Sequence, residues 1–361
     1  MSYFLVIQGK EVFYMSKVKI LCVYDSYITE ELMSQMKELE EYGAEVRMVR
    51  DEDMQNMGNI TDRMLLLEQN GVDAAPTCEE MLEECADKDI LVVHCSSINK
   101  EIIKACPNLK VAAVLRGGYE NADVEELTKR KIPLINAPWR SSVAVADFTV
   151  GMMIAENKNI ARSHKLICEG KWCKSYVNQA YIHNMDKCTV GLIGYGYIGS
   201  RVVKRLQGFD CKILVYDPFV NAVEIEKDGV TAVELDELLR QSDFVSMHLR
   251  LSERTAKFMG KEEFAKMKET AYFINTARSG IVDTEALVEA LRNKTIGGAA
   301  IDVYDVEPMP ADHPYLTLDN ITLTSHLAGT SCDTPRVSVE IGVEQLKRYL
   351  KGEPMQTVRN L

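Results

Sequence analysis

Thr189-Val190-Gly191-Leu192-Ile193-Gly194-Tyr195-Gly196-Tyr197-Ile198-Gly199 is the stretch from which the rest of the chain can be read. Val190 to Ile193 is a short apolar run, as expected of a strand covered on both faces of a parallel sheet. The run stops at Gly194. Gly194, Gly196 and Gly199 then spell G-x-G-x-x-G, and 200–207 continues at helical spacing. In such a strand–turn–helix unit the first glycine permits the tight turn and the second lets backbone approach a pyrophosphate. The third lets helix and strand pack closely. The helix start offers N–H groups and a positive dipole end to phosphates, here next to Tyr197 and Ile198. Glycine turns between strand and helix are common, so the motif gains its weight from the next strand. That second apolar strand, 212–216, ends at Asp217. An acid at that place accepts hydrogen bonds from the ribose hydroxyls of NAD and repels the extra phosphate of NADP. No arginine stands at 218–222 to receive that phosphate, so the reading is NAD.

Working outward, 17–24, 44–49, 90–94, 111–115 and 133–135 read as strands upstream, with helical spacing at 29–41, 61–69, 78–85, 99–106 and 123–130. Downstream strands are expected at 244–247, 271–275, 297–303 and 321–324. Alternation of this kind means βα units on parallel sheets. The pattern at 141–166 reads as one long helix carrying Val143, Val145, Phe148, Met152, Ile154 and Ile160. The helix at 335–350 is expected to return to the first domain. His94 ends a buried strand and reads as structural.

The chain has 361 residues, enough for two domains with sizeable cores. Its 54 acidic and 42 basic side chains leave a net charge of −12, which argues against nucleic acid or an anionic membrane as partner. Ten cysteines are scattered without a C-x-x-C pair, so a reducing, cytoplasmic compartment is expected rather than a disulfide framework or a zinc set. No run reaches bilayer-spanning length. Residues 1–14 are apolar but lack a basic start and a cleavage site. They read as an extension, an added strand or an arm, not a signal peptide.

Polar groups arrive at three later strand ends. Arg278 lies just beyond 271–275, Asp302 sits at the end of 297–303 with Glu307 in the loop after it, and His326 follows 321–324. Ligands of an open parallel sheet sit at the carboxyl ends of its strands, and Arg, Glu and His beside an NAD site suit 2-hydroxy-acid chemistry. With these motifs in order, 111–329 resembles the D-2-hydroxyacid dehydrogenases, which include phosphoglycerate dehydrogenase and the glyoxylate/hydroxypyruvate reductases. Arg116-Gly117-Gly118-Tyr119-Glu120-Asn121-Ala122-Asp123 is similar to that family's R-x-G-x-x-N-x-D substrate loop. Ala144-Val145-Ala146-Asp147-Phe148-Thr149 is similar to its interdomain helix, and Ser246-Met247-His248-Leu249 to its S-x-H strand end. His248 reads either as a cleft residue or as a plain strand end. The chain departs from the family pattern at Ser279, Arg250 and Leu327-Ala328-Gly329, where Gly, Pro and Ile-Gly-Gly are common.

The resemblance implies roles. His326 is the acid/base, Glu307 fixes its tautomer, and Arg278 binds the substrate carboxylate and carbonyl oxygen. Backbone around Arg116, Gly117 and Gly118 clamps the carboxylate. Asp302 binds the nicotinamide carboxamide, Thr276 and Ala277 line the ring, and Gly329 completes the cofactor site; no metal is needed. Apart from the resemblance, Pro138-Trp139-Arg140-Ser141 is unusual at the domain junction: Arg140 either meets a second anionic group on the substrate or lies solvated beside a packed Trp139.

The expectation is α/β: two doubly wound parallel-sheet domains, a flavodoxin-like substrate domain at 17–140 and 327–361, and a Rossmann NAD-binding domain at 141–326. The expected activity is reversible, NAD-dependent oxidation of a D-2-hydroxy acid by a homodimer, with phosphoglycerate a candidate substrate. The alternative is a non-catalytic NAD(H)-sensing corepressor of the same fold. A formate dehydrogenase is disfavoured, since resembling formate enzymes carry glutamine where Glu307 stands.

Overall fold

The computed structural model describes residues 17–361, apart from the side chains at 61 and 68. It also describes the backbone of Ile7–Gln8 (β1) and Glu11–Val12 (β2), which pair as an antiparallel ladder. The rest of the expected N-terminal extension lies outside the described residues. The chain forms two compact units: Met1–Arg140 with Cys332–Leu361 (unit 1), and Ser141–Ser331 (unit 2). No helix among the described residues is long and apolar enough to cross a membrane.

Unit 1 is built on a five-stranded sheet of β3 (Val18–Tyr24), β4 (Ala44–Arg50), β5 (Ile90–Val93), β6 (Val111–Val114) and β7 (Leu134–Asn136), in the order β4-β3-β5-β6-β7. Every pairing is parallel. Alternate residues feed two cores, one holding Leu21, Val23, Leu91 and Val93, the other Ile20, Cys22, Ile90 and Val92. Burial on both faces is why Ile20–Val23, β5 and β6 are apolar throughout, whereas edge strand β4 keeps Glu45, Arg47 and Arg50. Val339, Val343 and Leu346 of the helix Thr334–Leu350 belong to the second core.

Unit 2 holds seven strands: β8 (Thr189–Ile193), β9 (Lys212–Tyr216), β10 (Thr231–Ala232), β11 (Phe244–Met247), β12 (Tyr272–Asn275), β13 (Gly298–Ile301) and β14 (Ile321–Leu323). The order is β10-β9-β8-β11-β12-β13-β14, again all parallel. The chain reverses direction across the sheet at β8 and β11, the switch point where doubly wound sheets bind ligands.

Two helical expectations change. The stretch 141–166 is two helices, Ser142–Asn157 and Ile160–Cys168, separated by Asn159 at φ 55. A buried polar network ends the first. Glu156 pairs with Arg162 at 2.7 Å and accepts from Thr322 Oγ1 at 2.6 Å, while Asn159 donates to Asn178 at 2.7 Å. A continuous helix could not deliver these groups to one another. The stretch 29–41 is one short α-helix, Glu30–Met33, followed by a 3-10 helix, Ser34–Tyr42. Its buried residues Met33, Met36 and Leu39 recur every third position, the 3-10 repeat.

Candidate active site

Parallel register aligns the carboxyl ends of the unit 2 strands in one row. Tyr216 pairs with Ile193, Ile193 with Met247, Met247 with Asn275, Asn275 with Ile301, and Ile301 with Leu323. The next residues along the chain are Asp217, Gly194, His248, Thr276, Asp302 and Thr324. One edge of one sheet thus carries the glycine turn, Asp217 and the starts of the loops that hold Arg278, Glu307 and His326.

The glycines divide their duties sterically. Gly194 has φ 105, and a Cβ there would lie 2.8 Å from His248 O. A Cβ on Gly199 would lie 2.2 Å from Gly194 O, so strand turn and helix Gly199–Leu206 can touch only as they are. A Cβ on Gly196 would meet open space. That opening is where a pyrophosphate can approach backbone. Asp217 accepts from Tyr195 N at 2.7 Å and Phe219 N at 2.8 Å, which ties the acid to the turn. Tyr197 and Ile198 lie between Gly196 and the helix start. The donor set fits an adenine dinucleotide.

His248 lies beneath the turn. Its Nε2 meets Ser246 Oγ at 3.1 Å, and burial pushes its imidazole down to about 4, so it stays neutral. Thr276 is buried, its hydroxyl 2.7 Å from Thr149 Oγ1, and Ala277 N donates to Asn275 Oδ1 at 3.0 Å.

Glu307 and His326 are brought together: His326 Nδ1 lies 2.7 Å from Glu307 Oε2, and Tyr304 N donates to Glu307 Oε1 at 3.0 Å. Both side chains remain open to solvent, 47% for His326 and 38% for Glu307, so a substrate can reach them. Asp302 is fully buried. Its Oδ1 accepts from Thr324 Oγ1 at 2.6 Å and Leu327 N at 2.8 Å, and its Oδ2 from Ala328 N at 2.9 Å. The carboxylate therefore shapes the turn after His326, beneath the loop rather than on its surface. Gly329 ends that turn, where a Cβ would touch Ser141 at 3.6 Å. Arg278 is exposed at the end of β12, with Nη1 on Ala277 O at 2.7 Å and no ion-pair partner among the described residues. Sequence reasoning missed Tyr304 and Thr324, which hold Glu307 and Asp302; only their neighbours in the row mark them out.

In unit 1, Arg116, Gly117 and Gly118 follow β6. Gly117 is exposed, and Asn136 Nδ2 donates to its carbonyl at 2.6 Å. A Cβ on Gly118 would collide with the Glu120 carboxylate. Asn121 donates to His94 O and Ser96 O, and Asp123 caps the helix Val124–Lys129 through Glu126 N. These two residues shape the loop. His94, read as structural, is buried and paired with Asp25 at 2.7 Å. Arg140 is half-buried, its guanidinium 5.8 Å from the Tyr27 ring centre.

The profile of the D-isomer specific 2-hydroxyacid dehydrogenase NAD binding domain matches residues 150–328. A glyoxylate reductase of Thermofilum pendens is 39% identical over 290 residues, 78% of this chain and 84% of that protein. A D-3-phosphoglycerate dehydrogenase of Methanocaldococcus jannaschii is 36% identical over 305 residues, 83% of this chain and 57% of that longer protein. In fold, the chain is like the crystal structure of D-lactate dehydrogenase with NAD+ from Lactobacillus jensenii, with TM-score 0.73, 24% identity and coverage of 95% and 99%. With an intact glycine turn, Asp217 and a paired histidine on one sheet edge, the chain belongs to the D-isomer-specific 2-hydroxyacid dehydrogenase family and is an NAD-dependent enzyme of that kind.

Proposed function

We propose that this enzyme interconverts a short D-2-hydroxy acid and its 2-oxo acid, with Arg278, Glu307 and His326 as its catalytic residues. The Glu307–His326 pair carries the reading. Glu307 accepts the Nδ1 proton of His326, which leaves Nε2 of the neutral ring as a proton acceptor from the substrate hydroxyl. In the reverse direction the imidazolium returns that proton to the carbonyl oxygen, and Glu307 stabilises its charge. Arg278 offers a planar fork to the carboxylate and the carbonyl oxygen, and no acid among the described residues pairs with it. In unit 1, Arg116, Gly117 and Gly118 are the residues proposed to contact substrate. When bound, the nicotinamide supplies or accepts the hydride, while the protein supplies alignment. Gly194, Gly196, Tyr197, Ile198, Gly199 and Asp217 hold the dinucleotide, and Thr276, Ala277 and Gly329 line its nicotinamide end. Asp302, expected at the carboxamide, acts as a positioning residue for the His326 loop.

On this reading unit 2 holds the cofactor and carries the catalytic residues. Glyoxylate, hydroxypyruvate and the oxidised form of 3-phosphoglycerate are the substrates to try first. Exposed Val143, Ile160, Ile167 and Trp172 support a homodimer, and ten free thiols suit the cytoplasm. A screen of 2-oxo acids for loss of NADH absorbance tests the activity. At least one acid should turn over, and Glu307→Gln and His326→Ala should each lower kcat by about 100-fold or more. Undiminished turnover in His326→Ala would remove it from the mechanism.

A further inference from the structure

Unit 1 carries charged side chains that hydride and proton transfer do not require. Asp25 follows β3, His94 and Cys95 follow β5, Arg116 follows β6, and Arg140 lies beyond β7. We propose that Arg140 and Arg116, beside His94, form a site for a second anionic group on the substrate, a phosphoryl or a second carboxylate. The proposal rests on the 2-oxo-acid reading above and concerns unit 1 alone.

The positive charge of this cluster goes unanswered. Asp25 is the acid nearest to it, and its acceptor sites are already taken. Its Oδ2 lies 2.7 Å from His94 Nδ1, and its Oδ1 accepts from Tyr27 N and Ile28 N, both at 2.8 Å. These bonds outweigh the burial that pushes Asp25 up, and hold it below the usual carboxylate range. Burial works against a charged His94, yet Cys95 and Asp25 prevail and raise it, which favours the imidazolium. Neither guanidinium has an ion-pair partner among the described residues. Arg140 Nη1 makes only long contacts, 3.5 Å to His94 Nε2 and 3.5 Å to Ser338 Oγ. Arg116 Nη1 reaches only the Cys95 thiol, 3.7 Å away and a weak acceptor. Arg116 Nε is buried with no partner, and so are Ser26 Oγ and Ser97 Oγ on the adjoining loops.

Two half-buried guanidiniums side by side without an anion are costly, and burial together with the Arg116 charge pulls Arg140 below its ordinary range. An oxyanion answers both forks at once, as Arg pairs do for phosphate and carboxylate. Asp25, His94 and Cys95 also place three ligand atoms within 4.8 Å, a spacing a cation could use. The flanking guanidiniums repel a cation there and attract an anion instead.

The test compares NADH-dependent reduction of hydroxypyruvate, 3-phosphohydroxypyruvate and 2-oxoglutarate by wild type, Arg140→Gln and Arg140→Lys. Wild type should favour one of the two acids with a second anionic group. Arg140→Gln should raise KM for that acid by about 10- to 100-fold, well beyond its effect on hydroxypyruvate. Arg140→Lys should recover part of the loss. Preference for the phosphorylated acid identifies a phosphoryl site, and preference for 2-oxoglutarate a carboxylate site. Equal losses for all three acids overturn the proposal. If no acid turns over, the activity reading fails separately. The site is then judged by thermal shift with inorganic phosphate and with malonate: stabilisation of wild type but not of Arg140→Gln upholds it, and no stabilisation sinks it.

Discussion

His326 occupies φ 56, a left-handed conformation that costs a residue other than glycine on the order of 1 kcal/mol. Asp302 holds that turn in place, because its oxygens accept the N–H groups of the next two residues, Leu327 and Ala328. Asp302→Asn puts an amide donor against one of those N–H groups. The expected result is a kcat lower by about 10- to 100-fold with KM for NADH little changed. A large rise in KM for NADH instead would restore Asp302 to the carboxamide. His248 acts at the same scale through stability. Its folded value of about 4 lies below its ordinary value of 6.5, so protons bind the unfolded chain more readily. Its contribution is full above about pH 6.5 and is lost as pH falls toward 4, with about 1–2 kcal/mol gone by pH 5. Urea melts at pH 7.5 and pH 5 should show a smaller acid loss in His248→Gln than in wild type.

At the scale of elements, the glycine turn separates binding from folding. Gly196 faces open space, so Gly196→Ala should melt like wild type yet bind NADH at least about tenfold more weakly, because its methyl meets the pyrophosphate. Gly199 has no such room. Gly199→Ala must part the helix from the strand turn and should cost about 2 kcal/mol of stability as well as cofactor affinity. Calorimetry and NADH fluorescence titration of the two variants check the pair. The central strands of both sheets were legible because burial on both faces demands unbroken apolar runs; the two-residue edge strand β10 was not, being too short to carry a pattern. The break at Asn159 was not, because its cause is a network that reaches Asn178, Tyr272 and Thr322, far along the chain. A helical pattern at 29–41 was also legible, but its 3-10 winding shows only in which side chains are buried.

For the whole molecule, the last helix completes a core laid down at the start of the chain. Val339, Val343 and Leu346 pack among Ile20, Met36, Leu39 and Leu115. Each such side chain contributes about 1.5–3 kcal/mol of burial. Removal of 334–361 should therefore unfold unit 1 and leave unit 2 able to bind NADH. Limited proteolysis with NADH titration checks this; a truncated chain as protease-resistant as the full one would refute it. Leu346→Ala is the milder form, with about 2–5 kcal/mol lost.

What the sequence determined alone was local: strand periods, the glycine turn with its acid, and motifs whose order resembles one family. These arise from sterics and burial within a few residues, so they can be read without neighbours. Only tertiary structure decided the company each side chain keeps. Parallel register puts Asp217, Gly194, His248, Thr276, Asp302 and Thr324 in one row, although they are scattered over more than a hundred positions. It likewise gathers Asp25, His94, Arg116 and Arg140, and shows which charge is answered and which is not. Hydrogen bonds and ion pairs depend on distance in space, and only the folded chain sets that distance.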